Sequence, residues 1–278
     1  MNLEKLVPRM IGGAVGGLVL SFISGWGLVG TGHGGVLEEM GLAPVGCAGV
    51  FLGPVLGAIV SVYFARTGSD NKTEEQAEIV WALWVVASAL GWVAGWVVAI
   101  LVDPFFFAVL AVTGSSGVIP ALVGALAGAT VGGLLGIAQG YILRRWALLE
   151  MDWWVLASAV GGAVGRFLVR ITDVGISTTT FEGFHLGLEA GALAGAIFGA
   201  LLGAAQWLVL RRQASQAGWW ILASAIGWTV GLGVGSAVGG PGPFILPGAL
   251  CGAITGAAMV WMLSGANQTG EQDHEQGN

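Results

Sequence analysis

The chain reads as an all-α membrane protein with eight transmembrane helices, arranged as four parallel two-helix hairpin repeats. The helices are packed by glycine zippers and both termini are cytoplasmic. Three observations carry this reading. Charged residues make up 9% of the 278 residues, against about 25% in soluble domains. The apolar share is 55%, which excludes a water-soluble globule and a disordered chain together. Glycine occurs 50 times, mostly inside apolar runs at four-residue spacing rather than in a collagen period.

Crossing a hydrocarbon core takes about 20 helical residues. Eight apolar stretches meet that length, at 10–29, 42–65, 79–102, 118–143, 153–171, 186–210, 219–239 and 244–263. The first has too long a core and no clear Ala-x-Ala site for a signal peptide, so it counts as a helix. Residues 1–264 thus form the membrane domain, with repeats at about 10–66, 79–145, 153–212 and 219–263. Residues 265–278 are an acidic polar cytoplasmic tail holding Glu271, Asp273 and Glu275. Lys5, Arg9, Arg66, Lys72, Arg144, Arg145, Arg211 and Arg212 all fall on one side of this topology, which the positive-inside rule assigns to the cytoplasm.

The repeat shows in the odd stretches. Leu156-Ala157-Ser158-Ala159-Val160-Gly161-Gly162 returns as Leu222-Ala223-Ser224-Ala225-Ile226-Gly227-Trp228 and as Val86-Ala87-Ser88-Ala89-Leu90-Gly91-Trp92. Gly25, Gly91, Gly161 and Gly227 are 66, 70 and 66 residues apart, so the unit is a helix pair that enters the membrane in one direction each time. Four such hairpins could close as a pseudo-fourfold bundle or lie in a row. The even stretches repeat too. The run from Gly136 to Arg145 matches that from Gly203 to Arg212, and each is followed by a Trp pair, Trp153-Trp154 or Trp219-Trp220.

The Gly-x-x-Gln-Trp-x-x-Leu-Arg-Arg run (Gly203 to Arg212) and the following Trp-Trp-x-Leu-Ala-Ser-Ala-x-Gly-Trp (Trp219 to Trp228) resemble tandem repeats in uncharacterised multi-pass membrane proteins of bacteria. The resemblance implies a bacterial plasma (inner) membrane protein and supplies no site residues.

Gly124, Gly128, Gly132, Gly136 and Gly140, and again Gly191, Gly195, Gly199 and Gly203, step by four along their stretches. On a helix such a set is a slowly winding groove without side chains. In lipid no hydrophobic force presses helices together, and small residues permit the close contact that replaces it. Tryptophans at 81, 84, 146, 153, 154, 207, 219, 220 and 261 fall near the cytoplasmic ends and read as an anchoring belt at the headgroups.

Ionisable groups inside spans are costly and mark a site or a structural pair. Arg166 and Arg170 lie one turn apart, and Glu189 enters the next stretch from the same side, so an ion pair across that hairpin is expected. The same three residues form the candidate intramembrane polar site, open to an anion, a lipid headgroup or an ion. Gln139 and Gln206 share one repeat position and are the candidates for interhelical hydrogen bonds.

Catalytic and metal signatures are missing: there is no HExxH, no CxxC and no nucleophile elbow. Cys47 and Cys251 read as small core residues. Gly231 to Gly235 has no preceding strand and is not a nucleotide fingerprint. His33, Glu38, Glu39, Asp103, Asp173, Glu182 and His185 could bind a cation if the outer loops converge. The expectation is a non-enzymatic structural, scaffolding or assembly subunit without cofactors or nucleic acid. Its partners are the lipid bilayer, other membrane proteins or a second copy of itself. The alternative is a small-solute or ion transporter or channel with its polar site near Arg166 and Glu189.

Overall fold

Two dozen apolar residues withdrawn from water must satisfy their backbone hydrogen bonds internally, and a helix does so within one segment. The computed structural model describes residues 72–113, 118–146, 151–172, 188–214, 216–238 and 246–262, and every regular element among them is a helix. In chain order these are α1 (Lys72–Thr113), α2 (Val118–Trp146), α3 (Met151–Ile171), α4 (Leu188–Leu210), α5 (Trp219–Val238) and α6 (Leu246–Met262). The first five are long and apolar enough to cross a bilayer, and α6 is a shorter apolar helix. The chain is thus a multi-pass membrane protein by the length and composition of its helices. The stretches expected at 10–29 and 42–65 and the tail lie outside the described residues.

Both ends of α1 differ from the expected stretch, and it begins at Lys72 rather than near residue 79. α1 does not stop near residue 102 but runs through Asp103-Pro104 to Thr113, 42 residues in all. Proline removes one i to i−4 hydrogen bond, and the apolar run that follows, from Phe105 to Val112, keeps the helix going beyond it.

Glycine decides how the helices meet. Within each hairpin an odd-helix glycine lies on the backbone of the next helix. A Cβ on Gly91 would come within 2.8 Å of Leu135 Cα, one on Gly161 within 2.8 Å of Leu202 Cα, and one on Gly227 within 3.1 Å of Cys251 Cα. Between hairpins the roles reverse. Gly132 of α2 faces the Ser158 carbonyl of α3 too closely for any side chain, Gly195 of α4 does the same at the Trp228 carbonyl of α5, and a Cβ on Gly248 of α6 would sit 2.7 Å from the Ser88 carbonyl of α1.

That last contact closes a ring. α6 returns to α1 through the same kind of interface that joins α2 to α3 and α4 to α5, and the six described helices make a closed array. Trp81 Nε1 donating to the Ala253 carbonyl at 2.9 Å fastens the same seam. Leu90, Leu126, Val160, Leu193, Leu222 and Ile226 point outward and are exposed, which suits a lipid-facing surface.

Candidate functional site

Moving inward from the arginine-bearing end, the ring first encloses Trp84, Trp154 and Trp220, one from each odd helix. All three are buried, and they meet edge to face with centroids 6.1, 5.8 and 5.6 Å apart. This corrects the expectation of a headgroup belt for these residues and for Trp81, which is also buried. Neighbouring helical residues point about 100° apart, so in each Trp-Trp pair one ring faces in and one faces out. Trp153 and Trp219 are the outward members, 55% and 58% exposed. The inward ones stand four residues before Ser88, Ser158 and Ser224, and this spacing was the available signal for their common face.

The next layer is polar, and it is buried at every described position. Gln206 is its hub. Its Nε2 donates to Ser158 Oγ at 2.9 Å and, more weakly, to Gln139 Oε1 at 3.5 Å, while its Oε1 accepts from Trp220 Nε1 at 2.9 Å. Gln139 Nε2 donates in turn to Ser88 Oγ at 2.9 Å. Ser158 and Ser224 donate hydrogen bonds to backbone carbonyls, of Trp154 at 2.8 Å and Gly199 at 2.8 Å. The third sector has Thr255 where the other two have glutamine. Its Oγ1 accepts from Trp84 Nε1 at 3.0 Å and donates to the Cys251 carbonyl at 2.7 Å. Thr255 went unnoticed in the sequence because a threonine in an apolar helix carries no signal until it aligns with Gln139 and Gln206. Among the described residues, the Trp154 indole N–H has no hydrogen-bond acceptor.

Beyond this layer the aromatic filling resumes but loses its order. Trp92 and Trp228 pack with centroids 4.6 Å apart, with Phe198 4.9 Å from Trp228. α3 supplies Gly162 at the position those tryptophans hold, because a Cβ there would strike the Gly128 carbonyl. Beside this gap lies a cavity of about 10 Å³, lined by Trp92, Trp96, Ala127, Val131, Arg166 and Phe198 among others. Arg166 Cζ sits 5.3 Å from the centre of the Trp96 ring, a cation–π contact.

The three residues of the expected polar site do not share one place. The aliphatic stems of Arg166 and Arg170 lie over Gly128 and Gly124, on the α3 face that packs against α2. The opposite seam of α3, toward α4, is formed by Gly161 and Gly165. Glu189 is exposed in the first turn of α4. The grooves left by glycine in α2 are what draw the arginines that way.

Cys251 is buried in the ring. Among the described residues, no group of three His, Cys, Asp or Glu side chains could hold a metal ion. The outer set of His33, Glu38, Glu39, Asp103, Asp173, Glu182 and His185 falls outside the described side chains. Comparison with protein-family models, with curated proteins and with solved structures finds no match to this chain.

Proposed function

We propose that this chain is a non-enzymatic structural protein of the bacterial plasma membrane, a scaffolding or assembly subunit built from tandem glycine-zipper hairpins with both termini in the cytoplasm. The observation that carries the reading is the packed interior among the described residues. Two aromatic layers and a hydrogen-bonded polar layer occupy the space within the ring, and the cavity beside Arg166, about 10 Å³, is near the minimum for one water. A conducting path needs polar groups that a solute can reach and leave, and these amides and hydroxyls are already engaged with one another. The sequence resemblance to tandem-repeat membrane proteins of bacteria supports only the bacterial plasma-membrane setting of this proposal.

Purification of the full chain in mild detergent, followed by mass spectrometry, tests it. A membrane protein recovered in fixed stoichiometry, lost when the outward face is altered, is the expected result. The cavity and the Arg166 cation favour one competing reading, transport of a small anion. Uptake of a labelled anion into proteoliposomes that is abolished by Arg166→Leu would replace the scaffolding reading with that one.

A further inference from the structure

The three interhelical sectors differ at the end of the ring where α2, α4 and α6 finish. α2 ends in Arg144-Arg145, both exposed, and α4 runs into Arg211-Arg212, both exposed, whereas α6 carries no basic residue in its described length. The two basic sectors are not equivalent either. The segment that follows Arg145 contains Glu150, and Asp152 opens α3. Residues 213–218 carry no acid, and α5 has none in its first turn.

Aromatic rings frame the second sector. The Arg211 guanidinium lies 5.2 Å from the centre of the Trp207 ring. Trp219, 58% exposed, meets Trp261 of α6 edge to face at 6.4 Å. Trp207 and Trp261 are partly buried against the interior cluster that contains Trp220, so the platform is tied to the core. Two exposed guanidinium groups at the end of a bilayer-crossing helix, with no acid in residues 213–218 or the first turn of α5 and beside an outward indole, match the chemistry of a phospholipid headgroup. The arginines complement the phosphate, and the amphipathic ring suits the boundary between headgroup and acyl chain.

We propose that the junction of α4 and α5, through Arg211, Arg212 and Trp219, holds an anionic phospholipid, and that the α2–α3 junction binds one more weakly because its own acids offset its arginines. This inference requires only that the helices cross a bilayer and is independent of the scaffolding role. The test is native mass spectrometry of the purified full chain, titrated with phosphatidylglycerol or phosphatidylcholine.

The wild type should retain phosphatidylglycerol in preference. Arg211→Gln with Arg212→Gln should weaken retention about 25-fold, from two basic groups contributing about fivefold each, and Arg144→Gln with Arg145→Gln by less. Arg211→Lys with Arg212→Lys, which keeps the charge, should retain most of the binding, and an unchanged melting temperature in all variants separates lost binding from lost fold. Equal retention by the Arg211→Gln, Arg212→Gln protein overturns the proposal. So does displacement of the lipid by millimolar inorganic phosphate, which would make this a site for the free anion.

Discussion

Two neighbouring layers of the ring teach different lessons. At the level of Trp84, Trp154 and Trp220, every sector supplies the same residue and the three rings close the interior symmetrically. Two turns further on, α1 and α5 supply Trp92 and Trp228, but α3 supplies Gly162, and Arg166 lines the resulting cavity where the other helices carry Trp96 and Leu232. Two rings of the first layer are tied to the polar belt beside it, Trp220 through Gln206 and Trp84 through Thr255. The second layer is governed by how closely α2 and α3 approach, which leaves no room for a third tryptophan. The first layer keeps one ring from each odd helix packed edge to face, and the second loses that order where α3 has glycine against the Gly128 carbonyl.

The largest effect should come from that contact. Gly132→Ala places a methyl group on the Ser158 carbonyl, and separating α2 from α3 should cost about 3 kcal/mol. Its neighbour Gly133 is a built-in control, since a Cβ there would lie 3.7 Å from Ala159 Cβ, an ordinary contact. Gly133→Ala should leave stability unchanged or slightly raised. Thermal melting of the two proteins in detergent, followed by tryptophan fluorescence, decides the matter, and equal melting temperatures would refute the close-approach account.

Next in size is the hub of the symmetric layer. Gln206→Leu strips partners from Ser158 and from the Trp220 N–H and should cost about 2 kcal/mol, against about 1 for Gln139→Leu, whose bond to Gln206 is long. A double-mutant cycle with Ser158→Ala should show coupling for Gln206 and little for Gln139; the reverse order would mean that the belt is centred elsewhere. Thr255→Val, close to isosteric, should cost about 1 kcal/mol by leaving the Trp84 N–H without its acceptor. An additive cycle between Thr255→Val and Trp84→Phe would show that this bond contributes nothing.

Arg166→Leu, which gives α3 the residue α5 has at Leu232, tests the asymmetric layer. Removing the cation–π contact to Trp96 should cost at least about 0.5–1 kcal/mol, read from the same melts. A loss exceeding that of Gln206→Leu would make the arginine, and not the amide belt, the main polar support of the ring.

Much of this architecture could be read from residue order. Apolar length located the six described helices to within a few residues at most ends, since the bilayer imposes both the length and the need for internal hydrogen bonding. Only α1 departed further, by about two turns at its start and about three at its end, where a Pro within an apolar run is a weaker stop in a membrane helix than in water. Gln139 and Gln206 were recognisable as hydrogen-bonding residues from their shared repeat position, and the glycine stripes as surfaces of close approach. The direction of each side chain around the helix was less legible. Trp153 and Trp154 look alike in the sequence, yet one faces out and the other in, and the rotation that separates them follows from which glycines the neighbouring helix presents.

What composition and periodicity determined was the set of helices and the residues able to touch. The tertiary structure decided which of them do. Whether the three described hairpins lie in a row or close depended on α6 meeting α1, a contact between segments more than 150 residues apart in the chain. Arg166 could as well have been expected to reach toward Glu189 on the next helix, but the groove at Gly128 and the face of Trp96 hold it on the other side. Local sequence sets the length and the faces of a helix, whereas the choice among competing faces depends on backbone distances that exist only once all six helices are in place.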